Sequence, residues 1–205
     1  MRIFLFLALF FLCIFAFSQE NIEFNFSCKY DYSANVNIKD FSSSTVSMVI
    51  GFTGVHYFTD VFGLFLNMNL NFPFINFVSY NNTSSITNWS DKIFWLGIEG
   101  FLGPAFNIVR NQKFSIPIVI GFHIMRMNTI YDCKGAITRN YGFGMNIGYE
   151  RNMNKNFYVS LRVFTFFDLV SNTDQKNIYE FFSDERHFDN RNWGIAPTLG
   201  IGLRI

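Results

Sequence analysis

Within segments of this chain that are rich in apolar residues, charged and amide side chains fall on one of the two alternating rows of positions. Glu99 and Arg162 each fall near the middle of such a segment, and Asn67, Asn69 and Asn146 occupy equivalent positions. An isolated charge between apolar rows is costly unless it is paired, because water cannot solvate it there. We therefore expect an ion pair between Glu99 and Arg162, with the three asparagines satisfying the remaining polar groups.

A second pair is expected between Glu23 and Arg204, which lie at the outer ends of the first and last of these segments. These two segments become neighbours if the sheet that they form closes on itself. Two interpretations of both pairs remain open. They are either the satisfied polar core of a closed sheet or the gate of a small channel.

The elements that would position these residues are β-strands, because apolar and polar residues alternate with a period of two. The last segment puts Trp193, Ile195, Leu199 and Ile201 on one face, and glycines, Thr198 and Arg204 on the other. About eight such segments are recognisable, at 22–32, 45–58, 61–72, 93–108, 114–125, 141–150, 157–168 and 192–205.

Short and long connections alternate along the chain. Residues 59–60, 110–113 and 152–155 form tight polar turns, whereas the long polar connections cover 33–44, 73–92, 126–140 and 169–191. This asymmetry is typical of membrane barrels with short periplasmic turns and longer external loops. The sequence predicts an all-β fold, a transmembrane antiparallel up-and-down barrel of about eight strands with both termini in the periplasm. A soluble, lipocalin-like barrel would have to hold too many aromatic rings inside.

The first eighteen residues have the layout of a secretory signal peptide. Arg2 is followed by an apolar run from Ile3 to Phe17, and small residues at Ala16 and Ser18 precede Gln19. We expect cleavage after Ser18, which leaves residues 19–205 as one outer-membrane barrel domain.

The composition excludes several classes of function. The chain has 16 Lys+Arg and 15 Asp+Glu, and Arg2 is the only charge in the first eighteen residues, so residues 19–205 are formally neutral, with 15 of each. Nucleic acid is therefore not an expected partner. No residue cluster predicts a metal or a cofactor, and we expect none of either. Aromatic residues make up 20% of the chain, and the lipid bilayer is the expected partner of the apolar face that they help to form.

The chain resembles the small eight-stranded outer-membrane barrels, namely the OmpA transmembrane domain and the OmpX and OmpW groups, and within them a spirochaetal outer-membrane family of unassigned function. The resemblance is carried by the hairpin 57–63, the stretch 102–106 and the closing strand 199–205. It implies a porin-like protein of the bacterial outer membrane whose last strand is recognised by the assembly machinery. Many such barrels end in Phe, whereas this chain has Ile205.

The resemblance also implies two functions. One is a structural or permeation role for small solutes, including hydrophobic ones that OmpW-like barrels release laterally. Pro104, Pro117 and Pro197 lie within strands, where each removes a hydrogen-bond donor and can open such a gap. The other is adhesion to host surface molecules through the external loops, in which Tyr179, Phe181 and Phe182 are the candidate contacts.

An enzyme is not expected. His123 points inward and His187 lies in an acidic loop, but neither has a nucleophile at a suitable spacing.

Overall fold

The computed structural model describes residues 21–36, 41–80, 83–88, 93–131, 134–175 and 188–204. The predicted signal segment 1–18 lies outside the described residues, so its cleavage stays a prediction. The strands are β1 (Asn21–Asn35), β2 (Phe41–Tyr57), β3 (Phe62–Tyr80), β4 (Thr83–Asn88), β5 (Ile93–Arg110), β6 (Phe114–Tyr131), β7 (Lys134–Asn152), β8 (Phe157–Gln175) and β9 (Phe188–Arg204).

Eight of these strands form a closed antiparallel barrel. The order is β2-β1-β9-β8-β7-β6-β5-β3-β4, and β2 also pairs with β3, which closes the ring. The short strand β4 pairs with β3 and lies outside the ring. Among the described residues there is no helix long and apolar enough to cross a membrane. The predicted fold class is confirmed.

The alternation in the sequence separates an apolar outer face from a polar lumen. On the outer face Phe122 is 62% exposed and Ile201 is 61% exposed, and Cys28 also faces outward, as its position in the alternation predicts. Apolar side chains of neighbouring strands form a continuous band, which far exceeds the apolar patches of soluble monomers. Lipid is the solvent that such a band requires, and the closed ladder leaves no strand edge exposed to it.

Side-chain oxygens close the three short turns. Thr59 Oγ1 accepts a hydrogen bond from the Phe62 amide (2.9 Å), Asn111 Oδ1 from the Phe114 amide (2.9 Å), and Asn154 Oδ1 from the Phe157 amide (2.8 Å). Asn and Thr favour such turns because their short polar side chains satisfy nearby backbone amides. We call this end of the barrel the turn end and the opposite end the extended end.

At the extended end the strands continue further than the sequence predicts. Residues 126–140 were expected to form a long connection, but β6 continues to Tyr131 and β7 begins at Lys134. Residues 73–92 likewise include the end of β3 and the whole of β4. The polar composition of these segments predicted loops. This prediction was wrong because strands that extend beyond the bilayer need no apolar face, so their residues do not alternate between apolar and polar.

The wall of the barrel divides near the extended end. Pairing between β3 and β5 ends at Asn71 and Gly97, and from Ile75 onward β3 pairs with β4 instead. The pairing of β3 with β2 shifts register at the same level, opposite Pro73. Proline cannot donate to a ladder, so strand pairing changes at this position.

Candidate functional site

The lumen contains two buried charge networks. The network nearer the extended end is built around Lys29, whose Nζ donates to Glu99 Oε2 (2.6 Å) and lies 3.2 Å from Asp31 Oδ1. Asn71 Nδ2 donates to the same oxygen of Glu99 (2.9 Å). We call this group, together with the neighbouring His123 and Asp168, the Lys29 network.

His123 links two carboxylates of this network. Its Nδ1 is 2.6 Å from Asp168 Oδ1, and its Nε2 is 3.4 Å from Glu99 Oε1. The His123 and Asp168 side chains are both fully buried, and the imidazole lies against Phe166 with ring centroids 4.2 Å apart. The two acidic neighbours hold the ring in one orientation, and Lys29 supplies the opposite charge.

The network nearer the turn end is built around Arg162. Its Nη2 donates to Glu23 Oε2 (3.0 Å) and to Glu150 Oε1 (2.6 Å), and its Nε donates to Glu23 Oε1 (3.1 Å). Ser115 Oγ donates to Glu150 Oε2 (2.7 Å), and Arg204 Nη2 reaches the same oxygen at 3.5 Å. This Arg162 network has two cations and two carboxylates, so its formal charges balance.

The predicted pairings are wrong, although every residue in them faces the lumen. Glu99 pairs with Lys29, and Arg162 pairs with Glu23 and Glu150. Arg204 approaches Glu150 rather than Glu23. The physical reason is strand tilt. Glu99 on β5 and Arg162 on β8 are separated by β6 and β7, and the stagger of a sheared sheet places central positions of such separated strands at different heights.

The predicted role of the asparagines also differs from the observed one. Asn67 Nδ2 donates to Thr53 Oγ1 (2.8 Å), and it is Asn71 that contacts Glu99. Asn69 and Asn146 line a cavity of about 10 Å³ that also touches Glu99 and Arg162. That space is enough for about one water molecule.

Four phenylalanines fill the lumen beside this cavity. Phe101 lies between Phe65 (ring centroids 5.9 Å apart) and Phe164 (4.8 Å), and Phe164 stacks on Phe166 (5.7 Å). All four are at most 4% exposed. We call them the aromatic layer. Together with the two networks they close the lumen in the described part of the barrel.

Each of the three predicted prolines pairs with one neighbouring strand and is skipped in the pairing with the other. Pro104 pairs with Leu64, but the β5–β6 ladder skips it. Pro117 keeps its pairing with β5 and is skipped in β6–β7, and Pro197 keeps its pairing with β8 and is skipped in β1–β9.

Two of these interruptions remain tightly packed. A Cβ on Gly103 would lie 2.6 Å from the Cα of Gly121, and a Cβ on Gly148 would lie 3.1 Å from Pro117 Cγ. The missing donors therefore leave no open slit at Pro104 or Pro117. A role for the three prolines in lateral opening stays a prediction.

The described residues bear on two further predictions, the absence of a metal site and the absence of enzymatic activity. No group of three or more His, Cys, Asp and Glu side chains that could hold a metal occurs among the described residues. The Nε2 atom of His123 faces the Glu99 carboxylate, where a catalytic triad would place a nucleophile. The loop candidates Tyr179, Phe181 and Phe182 lie outside the described residues, as does His187. The absence of enzymatic activity stays a prediction.

The prediction of the site omitted the five ionisable members of the networks Lys29, Asp31, His123, Glu150 and Asp168, and it also omitted Asn71 and Ser115. Each lies on the inward parity of its strand, so the alternation already separated them from the lipid face. Their contacts join residues far apart in the chain, such as Lys29 and Glu99, which are 70 positions apart. These residues come together only through the register of the strand pairs around the barrel.

Fold and lumen together define a small outer-membrane β-barrel, and solved structures of that class are similar. Neisserial surface protein A matches with 5% identity, a TM-score of 0.55, and coverage of 90% of this chain and 97% of that one. The outer membrane protein OprG from Pseudomonas aeruginosa matches with 9% identity, a TM-score of 0.59, and coverage of 91% and 96% respectively. At these identities the likeness concerns the fold.

No family model matches the chain. No curated protein matches it either. The resemblance to a spirochaetal family is therefore not supported, whereas the resemblance to small eight-stranded barrels is. The lipid-facing band and the fold agree with the predicted location in the bacterial outer membrane.

Proposed function

We propose that this protein is a structural barrel of the outer membrane whose lumen is closed to hydrophilic solutes and whose extended end is displayed at the cell surface. The observation that carries the proposal is the closed lumen. The side chains of Lys29, Glu99 and Arg162 are each at most 1% exposed, with counter-charges in direct contact. The aromatic layer lies between the two networks, and the cavity lined by Asn69 and Asn146 holds about one water molecule.

Opening such a lumen requires that the buried charges of each network separate from the counter-charges that they contact. Removing one member of a buried ion pair costs about 3–5 kcal/mol because it leaves a charge unpaired in a medium of low polarity. An open state reached through the lumen would have to break several such contacts together. The closed state is therefore strongly favoured.

The test is solute influx into liposomes that contain the folded protein. We expect influx of small sugars and of monovalent ions to equal that of protein-free liposomes, because the two networks and the aromatic layer occupy the lumen of the described part of the barrel. A wide porin in the same liposomes gives the positive control. Faster electrophoretic migration of the unheated sample shows that the barrel has folded. Influx of either solute above the protein-free level would contradict the proposal.

A second candidate function is a lateral route for small hydrophobic solutes, favoured by the division of the wall between β3 and β5. Beyond Asn71 and Gly97 the two strands no longer pair, and this point lies just on the extended side of the contact between Asn71 and Glu99. A solute that enters at the extended end would meet the closed Lys29 network and leave sideways into lipid at this level.

An engineered disulfide tests this route. Phe72 and Leu96 would be the next pair if the β3–β5 ladder continued, so cysteines at both positions, in a chain whose native cysteines are serines, can close the division. We expect oxidation to abolish uptake of a hydrophobic fluorescent solute and reduction to restore it. Each single-cysteine chain serves as a control that should not respond. Equal uptake in the oxidised and reduced states would exclude the route.

The binding of host surface molecules and the recognition of the last strand by the assembly machinery stay predictions. The segment that would carry host binding, residues 176–187, lies outside the described residues, between the end of β8 at Gln175 and the start of β9 at Phe188.

A further inference from the structure

The lumen holds nearly all of the acidic side chains that the structure describes. Four of them are at most 1% exposed, namely Glu23, Glu99, Glu150 and Asp168. Asp31 is 14% exposed beside Lys29. Among the acidic side chains that the structure describes, only Asp60 lies outside the lumen, in the turn between β2 and β3, where it is 96% exposed. The acids are thus concentrated inside the barrel, whereas several basic residues lie on its outside.

Three of these basic residues lie together at the turn end, where β6, β7 and β8 meet the short turns. Arg151 is exposed on the outward row of β7, two positions beyond Tyr149. Lys113 lies in the turn before β6, and its carbonyl oxygen accepts a hydrogen bond from the amide of Asn152, the residue after Arg151 (2.9 Å). Lys155 lies in the turn that joins β7 to β8. We call Lys113, Arg151 and Lys155 the basic rim.

The basic rim has no acidic partner in the described part of the chain. Its side chains form no ion pair there, because the acids at this end of the barrel contact other cations. Asp60 lies 3.8 Å from the guanidinium of Arg110, and the buried Glu150 contacts Arg162 at 2.6 Å. The three positive charges of the rim therefore add to one local potential, which attracts anions to this part of the barrel.

The position of the rim relative to the apolar band indicates the kind of anion that it attracts. Tyr149 stacks on Phe114 with ring centroids 5.9 Å apart, and Arg151 pairs in register with Phe114. Aromatic rings at the end of an apolar band mark the interface of the bilayer. The charges of the rim therefore lie at the level of the lipid headgroups, and a phospholipid is the anion that has its phosphate at this level.

We propose that the basic rim binds anionic phospholipids of the leaflet at the turn end. The headgroup phosphates contact Lys113, Arg151 and Lys155, and the acyl chains lie against the outward rows of β6, β7 and β8. The occupant is a lipid rather than a soluble anion because the rim is continuous with the apolar band, and one lipid molecule matches both surfaces. The inference does not depend on whether the lumen is closed.

Arg191 provides a control at the other end of the barrel. It is exposed on the outward row of β9, two positions from Trp193, and its ladder partner on β1 is Ala34. Like Arg151, it lies next to an aromatic residue of the lipid face, but it is distant from the rim. Arg191→Gln therefore measures the attraction of a single boundary arginine to anionic lipid.

Native mass spectrometry of the full chain extracted from membranes tests the rim. The protein is exposed to an equal mixture of phosphatidylglycerol and phosphatidylcholine with identical acyl chains, and the ratio of the two bound lipids is measured. We expect phosphatidylglycerol to predominate in the wild type. A basic residue near an anionic membrane surface contributes about a fivefold preference. Replacing all three rim residues by Gln should therefore lower the ratio more than about tenfold, and Arg191→Gln at most about fivefold.

A conservative variant separates charge from the shape of the side chains. Lys113→Arg with Lys155→Arg keeps all three charges and should retain the wild-type ratio. Faster migration of the unheated sample shows that each variant has folded. A triple Gln variant that lowers the ratio no further than Arg191→Gln would overturn the inference, as would loss of the preference in the conservative variant. Displacement of phosphatidylglycerol by polyglutamate at an equal concentration of charge would assign the rim to a soluble polyanion and overturn the choice of a lipid. The same result with inorganic phosphate would also overturn it.

Discussion

Replacing Arg162 by Met should lower the free energy of unfolding of the barrel by about 3–5 kcal/mol. The substitution removes the guanidinium that contacts both Glu23 and Glu150 and keeps most of the side-chain volume. Two buried carboxylates then face each other with only Arg204, at 3.5 Å from Glu150, to compensate. Denaturant titration of the protein folded in lipid vesicles, followed by tryptophan fluorescence, measures the change.

A charge-balanced variant separates the loss of pairing from the loss of packing. Glu23→Gln with Arg162→Met removes one carboxylate and one cation and leaves Glu150 beside Arg204, so most of the lost stability should return. Arg191→Gln removes an exposed arginine and should change the free energy by less than about 0.5 kcal/mol. If Arg162→Met alone were equally mild, the Arg162 network would have to be hydrated rather than buried.

The same network shows how far the sequence specifies this lumen. The alternation of apolar and polar residues determines which face each side chain occupies, and it places Glu23, Glu99, Glu150 and Arg162 inside without reference to any other strand. This information is local, because successive side chains of a strand always point to opposite faces. The face of a residue can therefore be read from a single segment.

The partner of each charge is not local. Lys29 meets Glu99 only because β1 and β5 are shifted along the barrel axis by the accumulated stagger of the strands between them. Short turns fix the stagger within a hairpin, as at Thr59 between β2 and β3. Across the long connections, no turn geometry that can be read from the sequence sets the register. The predicted pair of Glu99 with Arg162 assumed that two mid-strand charges lie at the same height, whereas each has its partner elsewhere in the lumen.

Two glycines of β5 likewise show that the sequence predicts which face a residue occupies but not which atoms it contacts. Gly100 and Gly103 lie three positions apart on β5, so one faces lipid and the other faces the lumen. The sequence shows this difference in parity but not what each glycine touches. A Cβ at Gly100 would meet open space, whereas a Cβ at Gly103 would lie 2.6 Å from the Cα of Gly121 on the neighbouring strand.

Gly103→Val should therefore destabilise the barrel strongly, while Gly100→Val should leave its stability nearly unchanged. The atoms that obstruct a side chain at position 103 belong to the backbone of Ile120 and Gly121, which cannot rotate away as a flexible side chain would. Overpacking costs about 1–3 kcal/mol, and occasionally more, where the obstructing atoms cannot move aside. We expect the upper part of this range at Gly103.

Two measurements distinguish the variants. The folded fraction after insertion into lipid vesicles, read from the heat-dependent shift in electrophoretic mobility, should fall for Gly103→Val and remain at the wild-type level for Gly100→Val. Denaturant titration of the folded material then gives the difference in free energy. Equal stability of the two variants would mean that β5 and β6 separate at Pro104 to accept the valine. The wall would then open between Gly103 and Gly121, which lie in close contact in the structure. The interrupted ladder at Pro104 would become a second candidate for the lateral route.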